Sequence, residues 1–76
     1  MILVADFDSK LWVTIGDGPP ARVVLMRGMG CVARLRPAEA RANAAAGKLG
    51  STRLPAEVCR NLELMADEIE ERKMPV

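Results

Sequence analysis

The chain has no histidine, no tyrosine, two aromatic residues (Phe7 and Trp12) and two cysteines. Without histidine it has no ordinary Ser-His-Asp or Cys-His nucleophile system and no His-ligated zinc. Cys31 and Cys59 are too few for a disulfide framework and form no C-x-x-C pair of the redox or zinc kind. Each falls in an apolar pattern, so both are expected to be buried free thiols, with a disulfide or an exposed thiol as the alternatives. Long hydrophobic runs are missing as well. The opening MILVADFD has no basic flank and its apolar stretch stops at Asp6. That is neither a secretion signal nor a membrane span, which needs about 20 apolar residues, so a cytoplasmic protein is expected. Length sets a further bound. Seventy-six residues make one domain, 1–76, too short for a doubly wound sheet or a barrel enzyme. A chain of this size buries only about 60% of its unfolded surface.

Half of the residues are apolar, and 11 of the 76 are alanine, so the core must come from small and branched aliphatic side chains. The pattern changes near Pro37. Before it the period is two, the mark of half-buried strands. Residues 2–7 (ILVADF) are a short apolar run closed by a turn signal at Asp8-Ser9. In 10–16, Leu11, Val13 and Ile15 alternate with Lys10, Trp12 and Thr14. Gly16-Asp17-Gly18-Pro19-Pro20 is a loop. Residues 21–27 are a third strand, apolar on both sides, so its register cannot be read. Gly28-Met29-Gly30 is a turn, and in 31–36 Cys31, Ala33 and Leu35 alternate with Val32, Arg34 and Arg36. Short connections favour antiparallel neighbours, which predicts a four-stranded meander.

After Pro37 the period is helical. Pro37 suits a first helical position and Glu39 the first turn, and the alanine-rich stretch has the best helix propensity. This helix is predicted over 37–48, ended by Gly47 and Gly50. Ser51-Thr52-Arg53 reads as a linker. A second helix is predicted over 55–73, with Val58, Leu62, Met65 and Ile69 on one face and Arg72 and Lys73 in the last turn. The fold class is therefore α+β, with two helices on one sheet face. Leu11, Val13, Ile15, Cys31, Ala33 and Leu35 are expected to meet Val58, Leu62, Met65 and Ile69.

Two motifs invite a chemical reading. ILVADFDSKL, with Asp6-x-Asp8 after an apolar strand, resembles the first motif of the haloacid-dehalogenase-type phosphatases. That resemblance implies Asp6 as nucleophile and Asp8 as acid/base beside magnesium. It spans ten residues, and the next stretch is a strand rather than the helix that family needs. Turn aspartates bonding local N–H groups are the favoured reading. Gly16-x-Gly18 and Gly28-x-Gly30 precede Pro-Pro and a strand, so they read as turns and not phosphate cradles. No catalysis, cofactor or metal is expected.

Charge placement says more than the net charge of +1. Residues 21–60 carry eight cations and two anions, whereas 61–71 carry five anions and no cation. Arg outnumbers Lys eight to three, and its fork suits carboxylate and phosphate. With the apolar sheet face on the helices, Lys10, Trp12, Arg34 and Arg36 fall on the other face, with Arg22 and Arg27 nearby. Trp beside Arg is the composition of binding hot spots. The competing reading is a solvated face with charges that block edge pairing. Glu63, Asp67, Glu68, Glu70 and Glu71 form a secondary acidic patch, either the solvated side of a helix or a mimic of nucleic-acid charge.

The leading expectation is an interaction protein that binds and inhibits a larger macromolecule, as a monomer or homodimer and without a membrane. Size and strand-then-helix order resemble small phage-encoded inhibitors of the anti-CRISPR type. That resemblance implies a protein partner and blockage of a nucleic-acid-binding complex. The alternative is a DNA-binding regulator or antitoxin, because Arg22–Arg27 followed by two helices resembles the ribbon-helix-helix family.

Overall fold

The computed structural model describes residues 10–16 and 18–76. The strand predicted over 2–7, with Asp6 and Asp8, lies outside the described residues. Within them the protein is α+β. Strands β1 (Leu11–Gly16), β2 (Arg22–Arg27) and β3 (Gly30–Leu35) form one antiparallel sheet in the order β1-β2-β3. Helix α1 (Pro37–Ala46), a two-strand hairpin β4 (Lys48–Leu49) and β5 (Thr52–Arg53), and helix α2 (Ala56–Glu71) follow. Among the described residues the sheet is thus a three-stranded meander, and the fourth strand expected, over 2–7, falls outside them. The stretch 51–53, expected to be a linker, contributes a strand to the small hairpin. Gly50 makes that hairpin work: its φ of +61° suits the first central position of a primed two-residue turn. Gly28, at +57°, does the same between β2 and β3.

The central strand supplies what its own pattern could not announce. Val23 and Leu25 point to the helices and are fully buried, with 0% and 1% exposure. They sit opposite Ile15 and Val13 on β1 and opposite Leu35 and Ala33 on β3. From α2 come Val58, Leu62, Ala66 and Ile69, all buried, with Met65 and Cys59 at the margin. The α2 face predicted from spacings of three and four is therefore the face that builds the core.

Cys31 departs from the expected pattern. It is exposed, and it does not join Ala33 and Leu35 against the helices. Leu25 pairs with Ala33 but Met26 pairs with Cys31, so Val32 is an extra residue on β3. A bulge of this kind moves every residue beyond it to the opposite face. Cys31 thereby shares a face with Met26 and Trp12, and Val32 is 43% exposed.

Both helices stop earlier than predicted. Gly47, at φ +74°, closes α1 by donating to the Asn43 and Ala44 carbonyls. At the end of α2, Arg72 is the C-cap and Lys73 lies beyond it, so neither is in the last turn. Lys73 N–H donates to Glu70 O and Met74 N–H to Ile69 O, the paired bonds of a Schellman closure, with Met74 packed on the core. The left-handed residue in that closure is ordinarily Gly. Here it is Lys73, with φ +53°, in a conformation that costs a side-chain-bearing residue about 1–2 kcal/mol. The tail then returns to the sheet, where Ala21 N–H donates to Pro75 O at 2.6 Å. None of the described helices is long and apolar enough to cross a membrane.

Candidate interaction surface

Alternation along the strands places Trp12, Thr14, Val24, Met26 and Arg34 on the sheet face turned away from the helices. Val24 is 6% exposed although it stands outside the core cluster, so something other than a helix covers it. Arg34 lies directly opposite. A methyl group placed on Gly16 would sit 3.1 Å from Val24 Cγ2 and 3.8 Å from an Arg34 guanidinium nitrogen. The Arg34 side chain therefore runs across β2 toward β1, its stem over Val24 and its charged head in water. The glycine at 16 leaves room for it.

Trp12 is held rather than loose. Its indole Nε1–H donates to Gly28 O at 2.7 Å, across the β2–β3 turn. The ring remains 41% exposed, at the end of the sheet that also carries exposed Cys31 and Val32 and, at the turn tip, Met29. Lys10 is at the same end of the sheet, where its carbonyl accepts the Gly28 N–H. Arg27, exposed and opposite Leu11, is also there but alternates onto the helix side.

Arg22 and Arg36 do not join this group. Arg22 pairs with Gly16, four residues along the strand from the Trp12 row, roughly 13 Å at strand rise. Arg36 is the N-cap of α1. Both line a cavity at the far end of the sheet, together with Lys73. The basic face expected from alternation is thus two separate sites, an aromatic one at the hairpin end and a cationic cavity at the other; Arg34 is anchored opposite Val24 between them, with its guanidinium reaching Gly16. Lys73 was not legible as a site residue, since the signal that matters there is a backbone closure beyond the helix.

The acidic patch is partly consumed within the fold. Arg41 Nη1 donates to Glu70 Oε2 at 2.6 Å, and Nη2 donates to Glu70 Oε1 at 2.8 Å and to Asp67 at 2.5 Å. Arg72 pairs with Glu68 one turn away. Of the five carboxylates, Glu63 and Glu71 have no ion-pair partner among the described residues. These bonds tie α1 to α2 across their exposed edge, which weakens the case for a nucleic-acid mimic.

The Arg41 hydrogen bonds hold the Glu70 carboxyl below the usual carboxylate range. A carboxyl with a lowered folded pKa adds stability above its unfolded value and loses it as pH falls through the folded one. Arg41→Met should therefore lower the melting temperature at neutral pH. The gap to the wild type should begin to narrow near pH 4, the range of the unfolded carboxyl, and close once pH has fallen through the lowered folded value. Thermal melts across pH 2–7 check this, and a gap independent of pH would contradict it.

The described residues contain no cluster of metal-ligating side chains. No family model matches the sequence, and neither a curated protein nor a solved structure matches it.

Proposed function

We propose that the chain is a non-enzymatic interaction protein that binds a larger macromolecule through the sheet face around Trp12 and Arg34. The observation that carries this reading is the half-exposed indole, fixed by its bond to Gly28 and opposite Met26, with Cys31 next in the same row, on a face that neither helix covers. A rigid aromatic loses little entropy on docking and offers apolar area, and the Arg34 guanidinium, on the same face but further along the sheet beside Gly16, offers a fork for carboxylates. Because Arg41 and Arg72 engage three carboxylates of α2, the cations are the charge more available to a partner, and the partner surface is acidic protein. The narrower reading is an inhibitor of a nucleic-acid-binding complex, of the anti-CRISPR type. It rests on size, element order and this surface.

The ribbon-helix-helix alternative meets a topological obstacle. Its strand must pair with that of a second chain and enter the major groove. Here Arg22–Arg27 is the central strand, with β1 and β3 on its two edges.

The test is affinity capture from host cells, then calorimetry with the captured partner. Trp12→Ala combined with Arg34→Glu should weaken binding by about 100-fold or more, the loss of a hot spot. Unchanged affinity in a folded variant would refute the sheet-face assignment. Retention of DNA that falls steeply with salt would instead favour the regulator reading.

A further inference from the structure

At the end of the sheet away from Trp12, a cavity of about 430 Å³ opens between the start of β2, the first turn of α1 and the end of α2. That volume is in the range of small-molecule sites, about 300–1,000 Å³. Three cations line it, Arg22, Arg36 and Lys73, and none has an ion-pair partner among the described residues. Glu70, the only acidic side chain among the described lining residues, has both oxygens on Arg41, and Val76 completes the wall. Glu39, in the first turn nearby, is folded back onto the Arg36 N–H at 2.9 Å. The floor is apolar, with Pro37, Ile69 and Met74.

Two features show that these cations are placed with some care. Arg22 Nη1 donates to the Ala21 carbonyl at 2.8 Å, which holds the guanidinium against the wall and leaves its other N–H groups free to donate. Lys73 occupies the left-handed position that glycine would take without strain, so a charged side chain is kept where backbone energetics favour none. The first turn of α1 adds to the field. Its N-cap is Arg36, whose side chain has no acceptor; Glu39 takes the Arg36 N–H and Pro37 has none, which leaves the Ala38 and Glu39 N–H groups without a side-chain cap. Through Pro37 and Ala38 this helix end borders the same cavity as the three cations, its positive potential offset in part by Glu39.

We infer that this cavity binds a small dianionic ligand, a phosphomonoester carrying a compact apolar group. Arg22 and Arg36 supply planar forks for the phosphate oxygens, and Lys73 supplies a point charge. Ala38 lies at the helix end that faces the charge, and Pro37, Ile69 and Met74 take the apolar part. The site is separate from the sheet face and does not rest on the partner-binding reading.

The test is an amide NMR titration of the full chain with phenyl phosphate, inorganic phosphate and benzoate. Phenyl phosphate should give saturable shifts at Ala38, Glu39 and Lys73. Its affinity should be several-fold above that of inorganic phosphate, which lacks the apolar group, and of benzoate, which has one charge. Arg36→Gln and Lys73→Gly should each weaken phenyl phosphate about tenfold, the scale of one charge-assisted hydrogen bond. Lys73→Gly should at the same time melt at a higher temperature than the wild type, so that its loss of binding is not a loss of fold. Arg53→Gln, on the distant β5, should bind as the wild type does. Absence of saturable shifts, equal weakening by Arg53→Gln, or undiminished binding by Lys73→Gly would each overturn the assignment.

Discussion

Leu62→Ala is expected to cost about 2–5 kcal/mol, the range for truncating a fully buried leucine. Leu62 has 0% exposure and lies in the middle of the α2 face that meets Val23 and Leu25. Truncation removes the transfer energy of its methyl groups and leaves a void that the surrounding aliphatic side chains fill incompletely. A 76-residue domain has a total stability of only about 4–11 kcal/mol, at 0.05–0.15 kcal/mol per residue. The variant should therefore lose around half of it, visible as a large drop in the urea midpoint at unchanged slope. Leu64→Ala, on the same helix but 51% exposed, should move the midpoint far less. Equal effects at the two positions would mean that this helix face does not build the core.

Ala66→Leu should also destabilise, by about 1–3 kcal/mol, although it adds apolar surface. Ala66 of α2 and Ala40 of α1 both have 0% exposure and belong to one cluster. Small side chains at these positions let α1 pack close to α2, and the Arg41 bridge to Asp67 and Glu70 spans the same pair of helices. An added isobutyl group must push the helices apart or adopt a poor rotamer. Ala45→Leu, on the exposed side of α1, should stay within about 0.5 kcal/mol of the wild type. Denaturation of the two variants side by side checks the contrast, and a stabilised Ala66→Leu would show that the helices leave space between them.

Much of the architecture could be read before the structure was known, because periodicity is a local property. The alternation of Leu11, Val13 and Ile15, the spacing of Val58, Leu62, Met65 and Ile69, and the Pro and Gly punctuation each depend on nearby residues alone. β2 could not be oriented from its sequence, since Val23, Val24, Leu25 and Met26 are apolar on both sides. Its facing follows from pairing with β1 and β3 and from Arg34 covering Val24. The bulge at Val32 was equally invisible, because a pattern of six residues fits either face until the partner strand sets the register. Burial of Cys31 was lost with that one residue.

The candidate sites divide along the same line. Trp12 and Arg34 could be assigned to one face by counting in twos along separate strands. Arg22 and Arg36 followed the same count, but they sit at the far end of the sheet, and counting does not report distance along a strand. Lys73 joins them only because the chain turns back after α2 and Pro75 bonds to the start of β2. Glu70 and Asp67, which read as members of an acidic surface, are bound by an arginine 26 or more positions away.

The sequence by itself determined that this is a small α+β chain without histidine chemistry, with the main sheet before Pro37, two helices after it and a named core face on the second helix. Each of those follows from composition or from side chains a few residues apart. Only the tertiary structure decided which cations stand together, which carboxylates are already engaged and which thiol faces water. Those depend on register, on a single extra residue in β3 and on contacts between segments remote along the chain, where no local pattern carries the information.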